Sequence, residues 1–401
     1  MYLDKLVWSM FNPDISYFAH SNFRSEQLPF GIFTKDKLLS MYCIGKIGTG
    51  KTTLLETLML GDIHAGRGIT LFDVHGDVSQ SLVSQIPNHR KKDMVYIDVA
   101  DPNNTWGYNP LRQVPAQYRP LMASGIIAVF KNMFDKSAWG PKMEHLLRMI
   151  ILTLLSQKEA HFGDISRLLN DERYRMTCIQ NLKDNEDVKK FWYKEFPGFR
   201  PSDLVSIYNK VGAFLAHPSI KRLLITNKQQ LSLRDIMDNN KIFILKISKG
   251  LLGGDVAYVL GSFFLSALST AGFSRANIPE SRRNYHFIYL DEFHNYTNSI
   301  LVHMLSELRK YRIGLIMAHQ YIKQLTPEIR DAVLGTVGTI IAFRVGLSCA
   351  KHMAQEMYPV FIPDDFINLE NHDIYLKLMI HGKPSKAFSA TTIPFKYLPH
   401  R

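Results

Sequence analysis

Two short stretches of this chain carry side chains whose types and spacing could bind and split a phosphoanhydride. The first reads Gly45-Lys46-Ile47-Gly48-Thr49-Gly50-Lys51-Thr52. Its glycines let backbone N–H groups face an anion without a Cβ in the way. Lys51 can reach the β- and γ-phosphates, and the Thr52 hydroxyl can ligate Mg²⁺. The binding set is therefore Gly45, Gly48, Thr49, Gly50, Lys51, Thr52 and Thr53. The second stretch, Phe287-Ile288-Tyr289-Leu290-Asp291-Glu292, is an apolar run that delivers two acids at its tip. Asp291 is placed to hold Mg²⁺ through water, and Glu292 to polarise the water that attacks the γ-phosphate. The expected cofactors are ATP and Mg²⁺.

Further residues gather around these two. Ile313 to Ala318 reads as a strand followed by His319 and Gln320. Placed beside the strand of Asp291, it would bring the Gln320 amide near the γ-phosphate as a sensor of hydrolysis. Arg309, Lys310 and Arg312 cluster at the end of a helical stretch, Ile300 to Tyr311. They either compensate the helix C-terminal dipole or supply an arginine finger, Arg309, to a neighbouring subunit. Asp73-Val74-His75-Gly76-Asp77 is either a tight turn or a contributor of Asp73 or Asp77 to the metal shell. His75 has no His or Cys at ligand spacing, so it supports no metal site of its own.

The elements that must position these residues are legible as apolar runs. Met41 to Ile44 reads as a strand before the loop, and Thr53 to Leu60 as the helix whose positive end faces the phosphates. Further strands are expected over 68–72, 93–97, 242–247, 285–290, 314–318, 339–343 and 374–380. Their near-continuous apolar character and helix-length spacers define a mainly parallel α/β sheet of P-loop type. Between about Pro115 and Ile236 strand signals give way to long helical patterns. The expected organisation is an N-terminal segment (1–30), a first nucleotide-binding part (31–115), a helical insertion (116–236) and a second nucleotide-binding part (237–401). Val256 to Phe273 is uncharged but short and serine-containing, which fits a helix buried in the domain rather than a membrane span.

With 401 residues, 46% of them hydrophobic, the chain can bury a large core in two or three units of roughly 100–200 residues. A formal net charge of +12 suits a polyanionic partner. The three cysteines Cys43, Cys178 and Cys349 are scattered, which argues against a disulfide framework or a Cys-based zinc site. They fit a reducing, intracellular home. The first residues lack a signal-peptide layout.

Taken together, the motifs resemble the HerA/FtsK-type ring ATPases, and within them the TraG/TraD-like type IV coupling proteins of conjugation. The resemblance runs from about Phe30 to Pro394. It rests on Met41 to Lys46 leading into the loop, Phe72 to Asp77, Trp139-Gly140-Pro141-Lys142-Met143-Glu144, and Tyr289 to Phe293. Arg309-Lys310-Tyr311, Ala318-His319-Gln320, Ile341 to Val345 and Phe388 to Thr391 complete it. The likeness implies an ATP-driven, hexameric motor that moves DNA, cytoplasmic and peripheral to the inner membrane face through secretion machinery or a relaxase-type partner. It gives Lys51 and Thr52 to triphosphate and Mg²⁺, Asp291 and Glu292 to metal and water, Gln320 to sensing, and Arg309 or Arg344 to the subunit interface. A HerA-like DNA-processing or packaging ATPase and a secretion ATPase acting on protein are the alternatives. The N-terminal hydrophobic spans usual in the membrane-anchored members are absent from this stretch of sequence. A channel-lining loop, if it is Lys246 to Gly254, would hold DNA through its lysines and glycines.

Overall fold

The computed structural model describes residues 12–22, 27–112, 114–133, 139–183, 185–226, 229–297 and 299–398. Its frame is an eleven-stranded sheet. In chain order the strands are β1 (Ile15–Ser21), β2 (Pro29–Phe33), β3 (Met41–Ile44), β4 (Gly68–Asp73), β5 (Met94–Asp98) and β6 (Ile242–Lys246). They continue with β7 (His286–Leu290), β8 (Ile313–His319), β9 (Thr339–Ala342), β10 (Asp373–Lys377) and β11 (Phe388–Thr392). Across the sheet the order is β2-β1-β11-β10-β9-β3-β8-β7-β4-β6-β5. From β9 to β5 every neighbour is parallel, and from β9 outward through β10, β11, β1 and β2 every neighbour is antiparallel.

Every residue of β3, β4, β7, β8 and β9 is buried. That is what a strand covered on both faces requires, and it explains their unbroken apolar runs. Alternate side chains feed two separate cores. Tyr42, Phe72, Ile288 and Leu290 face one, and Met41, Cys43, Leu71, Phe287 and Tyr289 face the other. The second core is closed by the helices Lys51–His64 and Asp77–Gln85, through Leu54, Leu58, Val78 and Leu82. The first is closed by the helix Gly254–Ser274 and continues without a break into the helices between Arg119 and Ala216.

Gly254–Asn277 is long and apolar enough by composition to cross a membrane, yet 78% of its most apolar window is buried inside the protein. Gly261 lets it approach Tyr296, where an added Cβ would lie 2.5 Å from the Tyr296 Cβ. From Ala116 to Asp238 the described residues are helical apart from the short strand Gln229–Gln230 and connecting turns. Pro141 opens the helix Pro141–Leu155 at a position that needs no N–H donor, and Trp139 Nε1 donates to Glu144 Oε2 at 2.8 Å across that start.

The antiparallel flank corrects the sequence reading. The expected N-terminal segment 1–30, of which 1–11 and 23–26 lie outside the described residues, joins the sheet: Ile15–Ser21 is β1 and Pro29 begins β2. The physical reason is that the strands at this end of the sheet, β2 at the edge and β1 beside it, carry weak signals. β1 alternates buried and half-exposed residues, and β2 contains Pro29 and Gly31, both depleted in strands. β11, Phe388–Thr392, is a strand that the expected set does not include. The expected run 374–380 divides into β10 and a separate short strand, Met379–Ile380, that pairs with Lys383–Pro384.

Candidate functional site

The phosphate-loop sequence leaves the C-terminal end of β3, which lies between β8 and β9. Gly45 N–H donates to the His319 carbonyl at 3.3 Å and Lys46 N–H to the Arg344 carbonyl at 2.9 Å, so both neighbouring strand ends pin the loop. Gly50 sits at φ 117°, a left-handed conformation that a side chain disfavours, and starts the helix Lys51–His64. A Cβ there would also meet His372 Nδ1 at 2.8 Å. The buried Lys51 ammonium lies along the loop, donating to the Gly45 carbonyl at 2.6 Å and the Lys46 carbonyl at 2.9 Å. Thr49 Oγ1 donates to the Lys46 carbonyl at 2.8 Å, and Thr52 is exposed at the mouth. Phosphate oxygens would replace the loop carbonyls as acceptors for Lys51.

β7 lies one strand from β3, separated from it by β8, so Asp291 and Glu292 leave the same edge of the sheet as the loop. Asp291 is buried, and its carboxyl is pushed up to about 7, chiefly by burial and then by the charges of Glu292 and Asp73. Lys51 acts in the opposite direction. Such a carboxyl gains most from a cation. A carboxyl, like the Thr52 hydroxyl, is an oxygen donor of the kind Mg²⁺ takes. Glu292 adopts φ 46°, a left-handed conformation costing roughly 1–2 kcal/mol for a residue other than glycine. That turn swings its carboxylate toward β8, where Gln320 Nε2 donates to Glu292 Oε1 at 2.9 Å. The second carboxylate oxygen, Oε2, is buried without a hydrogen-bond partner among the described residues.

The structure thus gathers Lys51, Asp291, Glu292 and Gln320 at one sheet edge, where Asp73 and Arg344 also lie but are held by other partners, and it leaves Arg309 at the opposite end. Asp73 is committed locally: Oδ1 accepts the N–H groups of His75 and Gly76, at 3.0 and 2.8 Å, and Oδ2 accepts that of Ser79 at 2.7 Å. It caps a helix start, while Asp77 is exposed. Arg309 is exposed and precedes β8 at the opposite end of the strand from Gln320. Seven strand residues at about 3.3 Å each put it some 20 Å from its own loop. Arg344 lies at the loop's edge, donating to the Leu369 carbonyl at 3.1 Å and to Asn371 Oδ1 at 2.9 Å. Lys246 and Lys249 are engaged by Asp98 Oδ2 at 2.9 Å and Asn295 Oδ1 at 2.7 Å. Sequence reasoning passed over His294 and Gln324, which stand behind Glu292 and Gln320. Nothing local marks them, because their contacts cross between two loops.

A raised acid has a testable signature. Below about pH 7 Asp291 is protonated and cannot ligate a cation, so Mg²⁺-dependent nucleotide binding should weaken as pH falls from 8 to 6. In Asp291→Asn that dependence should vanish together with most of the Mg²⁺ effect. Titrating a fluorescent nucleotide with and without Mg²⁺ across this range checks both.

A strand, a glycine loop and a helix at the centre of a mainly parallel sheet, with acids on a nearby strand end, define the P-loop NTPase fold. Among solved structures the chain is similar to the bacterial conjugative coupling protein TrwBdeltaN70, with a TM-score of 0.67 and 14% identity over 93% of this chain and 88% of that one. TrwB solved with ADP and Mg²⁺ aligns with a TM-score of 0.65, also at 14% identity, over 93% of this chain and 88% of that one. VirB4 of Thermoanaerobacter pseudethanolicus aligns at 0.63 and 12% identity, over 96% of this chain and 97% of that one. No protein-family model and no curated protein sequence matches.

Proposed function

We propose that this chain is an ATP-hydrolysing ring motor that translocates DNA, of the conjugative and type IV secretion coupling class. The observation that carries it is the Gln320–Glu292 hydrogen bond across two adjacent strand ends, beside the strand that bears the phosphate loop. It joins a sensor amide to a base, which a mere nucleotide-binding fold does not need. The TrwB coupling protein has been solved with a non-hydrolysable GTP analogue and with ADP and Mg²⁺, which supports the same ligand class here.

In this reading Gly45, Gly48, Thr49, Gly50 and Thr53 line the phosphates, and Lys51 neutralises the β- and γ-oxygens. Thr52 and Asp291 would hold Mg²⁺, which would supply charge neutralisation on the transferring phosphoryl group. Glu292 takes the proton of the attacking water as its oxygen bonds to the γ-phosphorus and the bond to the β-bridging oxygen breaks. Arg309, too far from its own loop, serves the nucleotide of the next subunit in a ring, a hexamer by analogy with the family resemblance. Lysines and arginines of the +12 chain hold DNA through its phosphates.

The test is ATPase rate and particle mass measured together, with and without single- or double-stranded DNA. DNA should raise the rate, and salt should erase the stimulation. Arg309→Ala should lower turnover at least tenfold with little change in ATP affinity, as expected for a group acting on transition-state charge. A full rate from a monomeric preparation would refute the finger. A second reading is a secretion or assembly ATPase of this fold that handles polypeptide. Indifference to every DNA together with capture of a protein substrate would select it.

A further inference from the structure

Behind Glu292 stands a line of hydrogen bonds whose directions are fixed from one end to the other. Gln324 Oε1 accepts the Tyr321 N–H at 3.0 Å and the Gln320 N–H at 3.3 Å. A backbone N–H only donates, so that atom is the carbonyl oxygen and the other end of the side chain is the –NH₂. The –NH₂ lies 3.1 Å from His294 Nε2, which must therefore accept. The ring proton then sits on Nδ1. Nδ1 lies 3.5 Å from Glu292 Oε2, and both atoms are buried with no hydrogen-bond partner among the described residues. Buried polar atoms are rarely left unpaired, and here a donor and an acceptor stand opposite each other, half an ångström beyond bonding distance.

We propose that His294 is a positioning residue for Glu292, with Gln324 setting its tautomer. The Nδ1–H closes onto Oε2 while the Gln320 amide holds Oε1, so the carboxylate plane is gripped from both sides. Oε2 keeps a second lone-pair site for the proton of water. The loop that follows β8 is thereby tied to the base twice, once through the Gln320 side chain and once through its backbone by way of Gln324 and His294. The proposal rests on Glu292 being the general base, and its test separates the two.

Three variants of the full chain are compared with wild type by MgATP turnover, thermal melting and ¹⁵N NMR of labelled histidines. His294→Phe keeps a ring and removes both nitrogens, whereas His294→Asn retains an N–H near the Nδ1 position. Gln324→Glu still accepts the two backbone N–H groups but cannot donate to Nε2. The ring proton then moves to Nε2, and a lone pair turns toward the carboxylate. Expected are a kcat drop of about tenfold or more in His294→Phe and Gln324→Glu, a KM within about twofold, and recovery to within about threefold in His294→Asn. The imidazole should read as the Nδ1–H tautomer in wild type and as Nε2–H in Gln324→Glu. Wild-type kcat in both His294→Phe and Gln324→Glu, or equal losses in all three variants that follow a fall in melting temperature, would overturn the proposal. So would an Nε2–H tautomer in the unaltered protein. If wild type fails to split MgATP at all, the ATPase reading falls, and the tautomer measurement alone decides the relay.

Discussion

Glu292→Gln is expected to bind MgATP with near-wild-type affinity and to turn it over roughly 100- to 10,000-fold more slowly, the range that loss of a general base costs. The substitution preserves shape and the contact that anchors it. A glutamine carbonyl at Oε1 still accepts from Gln320 Nε2, which now donates at 2.9 Å, so the ends of β7 and β8 stay where they are. What disappears is the lone-pair charge that takes the proton from water. The trapped triphosphate should then be detectable on the protein after rapid filtration, with single-turnover hydrolysis giving the rate. Lys51→Ala provides the contrast. The buried ammonium that now satisfies the Gly45 and Lys46 carbonyls is the loop's own counter-charge for the phosphates, and without it binding itself should be lost. An unchanged rate in Glu292→Gln would mean that this acid does not activate water, and the chain would then be a nucleotide switch rather than an engine.

The site's main parts were readable because each is a local pattern that the parallel sheet then aligns. Asp291 and Gln320 follow apolar strands, and strands joined by helical crossovers run the same way, so their last residues emerge at one edge. The loop is a strand-turn-helix unit with its own glycine geometry. The antiparallel flank is less readable because β1 is only partly buried and the edge strand β2 has a proline and a glycine among its five residues. Asp73 illustrates a different difficulty: its sequence neighbourhood fits both a metal acid and a helix cap, and only three hydrogen bonds from His75, Gly76 and Ser79 show how it is used. His294 and Gln324 had no pattern at all. Their roles depend on which loop faces which, and spacing along the chain does not encode that.

The second large effect is expected far from the nucleotide, at Asp62. This side chain is fully buried on the helix that starts at Lys51. It accepts from Lys37 Nζ at 2.6 Å, Tyr289 Oη at 2.6 Å, Arg67 Nη1 at 3.1 Å and Ser16 Oγ at 3.3 Å. One carboxylate thus joins β1, the turn before β3, the phosphate-loop helix and β7, the strand that carries the two acids. Asp62→Ala would take the carboxylate away from a fully buried ammonium, a nearly buried guanidinium and two hydroxyls, leaving Lys37 on the Ser16 hydroxyl and Arg67 on the Pro13 carbonyl. Breaking such a cluster from one side costs about 3–5 kcal/mol, visible as a shifted denaturant midpoint. Lys37→Met should cost less at pH 7. Burial lowers the Lys37 ammonium to about 8 despite the opposing pull of Asp62, so the charged form is held at a penalty, and Arg67 would remain to neutralise the acid. The same shift fixes a pH dependence. Between about 8 and the ordinary 10.5 the unfolded chain binds more protons at this group than the folded one, so the Lys37 contribution to stability rises with pH across that window and is lost as pH falls through about 8. Lys37→Met should abolish this slope. A Lys37→Met variant less stable at pH 7 than Asp62→Ala would mean that the ammonium, and not the carboxylate, is the member the cluster cannot lose.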